Sequence, residues 1–401
     1  MLSCTPGKFG VNFLIACGCG CDNFCLLMKT ILLTTLTAMA LALPAIAQPV
    51  VSPDVQPDGR VTFRLRAPQA QAVQLHCEQV PVSAMQRDAQ GVWTFTTEPL
   101  EPDIYVYSFS VDGVHAIDPA NPLLKYNLLN TESQVHVPGP QSLPWELNDV
   151  PHGELHQHFY HSAVAGDDRD FYVYTPPGYD PKSGKRYPVL YLLHGYSDDA
   201  SAWPMVGRAN VILDNLIARG QAKPMIVVMP LGYGTMEIVR AGWSRLNGPD
   251  LWQRNVDKFT EALLTEVMPR VDGAYRIAKG REAHAIAGLS MGGAESLRVG
   301  LNHLDRFAWV GAFSAGGVGT NYTSEFPKLN ASANDKLRLL WLACGRDDGL
   351  FTGNQQFCQW LTTENVVHTW VESSGAHNFR NWRRYLAEFV PQLFQENREK
   401  K

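Results

Sequence analysis

Short apolar runs separated by stretches of helical length constrain this chain more than any other feature. Tyr187-Pro188-Val189-Leu190-Tyr191-Leu192-Leu193 and Met225-Ile226-Val227-Val228-Met229 carry no charged side chain, the pattern of a strand buried on both faces. Between them Ala209-Asn210-Val211-Ile212-Leu213-Asp214-Asn215-Leu216-Ile217 spaces its apolar residues as a helix does. The order then repeats: a helix over 255–268, a strand over 283–287, a helix after Ser290, strands over 309–313 and 337–344, a helix from about Gln355, a strand over 367–371 and a helix over 381–393. Ahead of them Phe171-Tyr172-Val173-Tyr174-Thr175 reads as one more strand, closed by Pro176-Pro177-Gly178-Tyr179. Such alternation predicts an α/β fold, a doubly wound sheet occupying residues 158–401.

Gly288-Leu289-Ser290-Met291-Gly292 lies between an apolar strand and a helix opened by Gly293 and Ala294. In G-x-S-x-G a serine on a sharp strand-to-helix turn has a strained backbone, so its neighbours must be small. The turn presents the serine oxygen at the strand's carboxyl end and aims a helix N-terminus at developing negative charge. Ser290 is therefore the candidate nucleophile. An acid and then a histidine should follow in the chain. Cys344-Gly345-Arg346-Asp347-Asp348 ends a strand with two carboxylates, of which only one can orient a histidine. Ser373-Ser374-Gly375-Ala376-His377 lies between the last strand and the last helix, which gives His377 the base role; His368, inside the strand, reads as structural. The oxyanion hole needs the N–H after the nucleophile, Met291, and one from the loop after an early strand, assigned to Tyr196 in Leu193-His194-Gly195-Tyr196. His194 reads as a structural hydrogen-bonder.

These stretches resemble the esterase-D-type members of carbohydrate esterase family 1, which holds feruloyl and acetylxylan esterases. The likeness runs from Tyr187 to Leu386 and includes Tyr191-Leu192-Leu193-His194-Gly195, Gly207-Arg208-Ala209-Asn210, Asp214-Asn215-Leu216, residues 224–230 and 287–293, and Gly375-Ala376-His377 with Trp382-Arg383. It implies an α/β-hydrolase fold. The family's acid stands fourth in G-x-x-D, so Gly345-Arg346-Asp347-Asp348-Gly349-Leu350 carries it to Asp348. Where the family often has a tryptophan soon after the catalytic histidine, this chain has Asn378-Phe379.

Residues 51–137 follow a different rule. Arg60-Val61-Thr62-Phe63-Arg64-Leu65-Arg66, Ala72-Val73-Gln74-Leu75-His76-Cys77, Gly91-Val92-Trp93-Thr94-Phe95 and Ile104-Tyr105-Val106-Tyr107-Ser108-Phe109-Ser110-Val111 alternate at period two. Asp58-Gly59, Gln90-Gly91 and Asp112-Gly113 supply the turns, and the sum is an all-β sandwich. With Asp118-Pro119-Ala120-Asn121-Pro122, this region resembles the immunoglobulin-like module that precedes many bacterial carbohydrate esterases. Trp93, at an alternating strand position, reads as core. The boundaries expected are 48–140 for the module, 141–157 for a linker and 158–401 for the hydrolase. With no triad candidate in it, the module is expected to supply stability or orientation rather than chemistry.

Met28-Lys29-Thr30 opens an uncharged run that ends in Pro44-Ala45-Ile46-Ala47. One lysine, a short apolar core and an A-x-A site read as a secretory signal peptide cleaved near Ala47; the run is too short to span a membrane. Translation is expected to start at Met28, with residues 1–47 forming leader and signal peptide. Past it only Cys77, Cys344 and Cys358 remain, too few for a disulfide framework; Cys344 and Cys358 are either bridged or two buried thiols. No spacing suits a metal, so no metal or other cofactor is expected. A net charge of −5 gives no basic surface for nucleic acid.

The residues and the resemblance together point to an exported serine esterase, secreted or periplasmic, acting on feruloylated or acetylated oligosaccharide or polysaccharide. A feruloyl esterase is the favoured reading. An acetylxylan esterase, a siderophore trilactone esterase (with Arg208, Arg240 and Arg245 as cationic candidates) and an acyltransferase of the same fold are the alternatives. Trp203, Tyr233, Trp243 and Trp252 are candidate walls for a phenolic ring, with core packing the competing reading for each.

Overall fold

The apolar runs pair into one eight-stranded mixed sheet. A computed structural model of the chain describes residues 49–242 and 249–395; the leader and cleavage-site readings, Trp243 and Arg245 lie outside the described residues. The strands are β1 (Glu154–Ser162), β2 (Asp167–Thr175), β3 (Val189–Leu193), β4 (Ile226–Pro230), β5 (His284–Leu289), β6 (Trp309–Phe313), β7 (Leu339–Gly345) and β8 (Thr369–Ser373), in the spatial order β1-β2-β4-β3-β5-β6-β7-β8. β1 and β2 pair antiparallel, as do β2 and β4, and every pairing from β4 to β8 is parallel. Helices α1 (Ala209–Ala218) and α5 (Phe379–Phe389) cover one face. Helices α2 (Pro249–Ala262), α3 (Ser290–Asn302) and α4 (Phe351–Thr363) cover the other. Successive residues of β3 feed opposite cores, Leu190 and Leu192 on the α1/α5 side and Val189, Tyr191 and Leu193 on the α3 side. That double burial is why its sequence is continuously apolar rather than alternating.

Residues 54–137 form two antiparallel sheets around a shared core. Val61–Arg66 and Val92–Thr96 are central in one; Val73–Cys77, Asp103–Val111 and Glu132–Val137 are central in the other. Phe63 meets Tyr107 across the gap with ring centroids 4.6 Å apart. Trp93 is buried and donates its indole N–H to the Ala67 carbonyl at 2.9 Å.

The segment expected as a linker is instead part of the packed structure. β1 begins at Glu154 and runs the length of β2, and residues 141–153 lie against α1. Trp145 is 4 % exposed in the α1/α5 core, and Asn215 donates to the Pro144 and Glu146 carbonyls at 2.8 and 2.7 Å. The sequence hid this because β1 is an edge strand in which His and Gln interrupt the apolar residues, so it carries no long apolar run. Residues 50–401 form one compact unit. Helix α2 also starts earlier than expected, at Pro249, and α4 at Phe351. Cys77, Cys344 and Cys358 are all buried and unbridged. Among the described residues no helix is long and apolar enough to cross a membrane.

Candidate active site

The strand β5 ends at Leu289, and Ser290 turns the chain into α3 at φ +52°. A side-chain-bearing residue held in this region costs on the order of 1–3 kcal/mol and persists only where its surroundings enforce it. The enforcement here is crowding. A Cβ on Gly292 would lie 2.4 Å from the His194 carbonyl oxygen, and one on Gly195 would lie 3.3 Å from the Ser290 Cβ. The loop after β3 thus presses directly against the serine turn, which explains the small residues of the motif.

The structure brings His377 and Asp348 to this serine. Ser290 Oγ–H donates to His377 Nε2 at 2.9 Å, and His377 Nδ1–H donates to Asp348 Oδ2 at 2.9 Å. Asp348 also accepts the Leu350 N–H at 2.9 Å. Burial by itself would raise the Asp348 carboxyl, but the His377 hydrogen bond and charge, with the Leu350 and Ser314 donors, hold it below the ordinary carboxylate value. It is therefore an anion at neutral pH, as an orienting acid must be. Asp347 does different work: its carboxylate accepts the Gly375 N–H at 3.1 Å and steadies the loop that carries His377. The imidazole edge of His377 meets Trp382 at 4.9 Å, and the Trp382 indole donates to Ser314 Oγ at 3.2 Å.

Behind the serine, a buried polar network fixes the loops. His194 is 1 % exposed, donates from Nδ1 to the Gly195 carbonyl at 2.8 Å and accepts the Gly232 N–H on Nε2 at 2.8 Å. Burial pushes its pKa down to about 4, which keeps the ring neutral and suits the structural role read for it. Glu295 on α3 is fully buried and accepts from Asn255 at 3.1 Å, and burial holds its carboxyl well above the ordinary range. Asn255 in turn accepts the Gly234 and Thr235 N–H groups at 2.9 and 3.2 Å. Met291 is the second residue of α3, so its N–H belongs to the helix-start donors that lack an intrahelical acceptor. Tyr196 borders the cavity at Ser290, and its hydroxyl donates to the Val239 carbonyl at 3.2 Å.

A cavity of about 180 Å³ opens at Ser290, and part of its wall comes from the β-sandwich. Glu78, Val106, Lys125 and Asn127 face Ser290, His377, Asp198 and Phe379 across it. The β-sandwich, expected to supply stability or orientation rather than chemistry, also borders the cavity at Ser290. Asn127 donates to Ser197 Oγ and Asp198 Oδ1 at 2.9 and 3.1 Å, which ties the sandwich to the loop after β3. Burial pushes Asp198 up to about 6 and also raises Glu78. Lys125 is paired with Glu132 at 3.1 Å. None of these four had a sequence signal, because no motif relates them to Ser290.

The aromatic candidates divide. Trp203 is fully buried in the α1/α5 core with its indole N–H on the Leu193 carbonyl at 2.9 Å, so it is no pocket wall. Tyr233 is also fully buried, its hydroxyl on the Asp198 carbonyl at 2.9 Å. Large apolar rings in short segments between strands served the core in both cases. Trp252 is partly exposed, packs against Gly317, and joins Tyr196 beside a small apolar cluster that contains Met291. Neither Arg208 nor Arg240 lines the cavity.

The family model described as "Putative esterase" matches residues 162–393. The chain belongs to this esterase family. It is a carboxylic ester hydrolase, and the resemblance to carbohydrate esterase family 1 holds. The esterase is 30 % identical over 352 residues to an endo-1,4-beta-xylanase/feruloyl esterase of Xylanibacter ruminicola, a match that covers 85 % of this chain and 46 % of that protein. The chain thus spans just under half the length of that relative. An acetyl esterase of Caldicellulosiruptor saccharolyticus is 24 % identical over 232 residues, covering 50 % of this chain and 80 % of its own. Among solved structures, a CE1 ferulic acid esterase of Anaeromyces mucronatus is 26 % identical with a TM-score of 0.55, covering 64 % of this chain and 96 % of that one. An enterobactin esterase of Shigella flexneri shares the fold at 20 % identity and a TM-score of 0.62, over 84 % of this chain and 93 % of its own.

Proposed function

We propose that this esterase releases ferulic or related hydroxycinnamic acids from plant cell-wall polysaccharide through a Ser290 acyl-enzyme. The observation that carries the mechanism is the unbroken Ser290–His377–Asp348 hydrogen-bond relay beside a cavity. His377 takes the Ser290 proton as Oγ attacks the ester carbonyl carbon. The carbonyl oxygen becomes an oxyanion held by the N–H groups of Met291 and Tyr196. When it collapses, the bond to the sugar oxygen breaks and His377 returns the proton to that oxygen. Water repeats the sequence and frees the acid.

The substrate class is supported by the relative with feruloyl esterase in its name, matched over most of this chain. A siderophore trilactone is disfavoured by charge: the cavity holds Glu78 and Asp198, and its one lysine is already paired, a poor match for an anionic catecholate. In this reading residues 48–140 are an immunoglobulin-like module, residues 158–401 the hydrolase domain, and the leader read in residues 28–47 makes the enzyme an exported one.

Hydrolysis of methyl ferulate against methyl acetate, which shares its leaving group, tests the acyl group. Burying a ring over about 100–150 Å² at about 25 cal/mol per Å² is worth roughly 2–4 kcal/mol, or about 30- to 1000-fold in kcat/KM. Ser290→Ala should lower turnover of either ester on the order of 10⁴-fold. Equal or better kcat/KM on the acetate moves the assignment to acetyl esters, and a Ser290→Ala variant with a tenth of normal turnover removes the mechanism.

A further inference from the structure

The cavity at Ser290 does not end at His377. A second cleft, about 500 Å³, lies on the far side of the histidine loop and is bordered by Ser373, Ser374, Gly375 and Ala376 of that loop. Its opposite wall is Gln79 and Glu101 of the β-sandwich. Asn378 borders both spaces, so they adjoin across one side chain.

The reaction assigns a direction to this arrangement. The oxygen that leaves must receive its proton from His377 Nε2, so the alcohol half of the ester lies on the histidine side of the scissile bond. The acyl half lies on the opposite side of Ser290. The second cleft, which shares Asn378 with the first, is the space next to the alcohol half. The walls there suit a neutral, hydroxyl-rich ligand. Glu101, Glu388, the Gln79 amide and the Ser374 hydroxyl border it, and Arg380 and Arg384 are already paired with Asp103, which leaves no strong field for an anion. Its volume falls in the range of sites that enclose an organic ligand.

We propose that this cleft, built jointly by the β-sandwich and the His377 loop, binds the glycosyl chain that carries the scissile ester. The proposal rests on the ester-hydrolase reading above and adds where the leaving half is held. Substrate selection is then shared between two parts of the chain: the hydrolase side reads the acyl group and the interface reads the sugar.

The test compares a feruloylated arabinoxylo-oligosaccharide with methyl ferulate, which presents the same acyl group with no sugar. The full chain should show kcat/KM at least about tenfold higher on the oligosaccharide, since even one or two sugar contacts retained in the transition state give that factor. Glu101→Ala, which removes an exposed acceptor, and Ser374→Trp, which fills the cleft from its rim, should each lower the ratio of the two kcat/KM values toward one. Reading the ratio removes any general loss from a damaged fold. A wild-type ratio near one, or a high ratio that survives both substitutions, overturns the proposal. A protein inert on methyl ferulate refutes the acyl assignment instead. The same two variants then test the cleft with acetylated xylo-oligosaccharide against methyl acetate.

Discussion

Asp103 is the most consequential residue outside the serine relay. It sits on the β-sandwich, fully buried, and holds three arginines of α5. Arg383 reaches Oδ1 at 2.7 Å, while Arg384 and Arg380 reach Oδ2 at 2.8 and 3.1 Å. Burial opposes the Asp103 charge, but Arg383 and Arg384 outweigh it and hold the carboxyl below its ordinary value. Of the three cations only Arg383 has no access to water, at 1 % exposure; Arg384, at 37 %, rehydrates if released. Asp103→Ala therefore strands one buried guanidinium. Breaking a buried pair by removing one partner costs about 3–5 kcal/mol, a large part of a typical total stability of about 5–15 kcal/mol.

Urea unfolding measures this directly. With m near 3 kcal/mol/M, the midpoint should fall by about 1–1.7 M. A double-mutant cycle with Arg383→Met should give a coupling of about 2 kcal/mol or more, because the second substitution removes the stranded charge. The sign with pH follows from the lowered pKa. The stabilisation is fully present above the unfolded-state carboxyl value of about 3.9 and is lost as pH falls through the folded value. The gap between wild type and Asp103→Ala should be flat above about pH 5 and close in acid. A cost below about 1 kcal/mol, or a coupling under about 0.5 kcal/mol, would refute this account of what joins the sandwich to the hydrolase.

Two further outcomes are expected. Asp348→Asn should fold but leave His377 without its anionic partner, costing about 10³–10⁴ in kcat, while Asp347→Asn, which only loosens the loop, should cost under about tenfold; the reverse ranking in steady-state kinetics would show the wrong aspartate assigned. Asp198, raised to about 6 by burial, keeps a proton in the folded state that the unfolded chain has already lost, so native stability falls as pH climbs from about 4 to 6. Asp198→Asn should erase that fall and gain about 2–3 kcal/mol on wild type across the window. Unfolding curves at pH 4 and 7.5 that keep a constant difference would contradict it.

What the sequence revealed, and what it hid, divide by the range of the forces involved. The serine turn is a local event: a strand, a serine forced into left-handed backbone and a helix need five consecutive residues, so Gly288 to Gly292 could be read directly. The parallel strands were equally legible, since burial on both faces leaves an uninterrupted apolar run. The choice between Asp347 and Asp348 was not local. Adjacent residues of one loop point to different partners, one to Gly375 and one to His377, and only the family pattern separated them in advance. Trp203 and Tyr233 misled for a related reason: a large ring in a short segment fills a core as readily as it lines a pocket. Glu78, Lys125, Asn127 and Asp103 were invisible because their roles depend on how the β-sandwich meets the eight-stranded sheet and its loops.

That meeting solves a mechanical problem set by the fold. His377 follows β8, which pairs only with β7, forms the edge of the sheet and is the least buried of its parallel strands. An edge strand alone is a poor mount for an imidazole that must keep its hydrogen bond to Ser290, a placement good to within about 0.5 Å. The loop is therefore tied at several points along its length. Arg346 donates to the Ser373 carbonyl at 2.9 Å, Asp347 bonds Gly375, and Asn381 donates to the Ala376 carbonyl at 2.9 Å. Asn378 caps α5 through the Asn381 N–H, so the histidine and the helix move together. The far side of that helix is then clamped by Asp103 through Arg380, Arg383 and Arg384. A residue two strands deep in the β-sandwich thus acts on the histidine through one helix. Losing it should disturb the distance from His377 to Ser290 before it unfolds the hydrolase sheet, because the core contacts of β3 to β7 do not pass through Asp103.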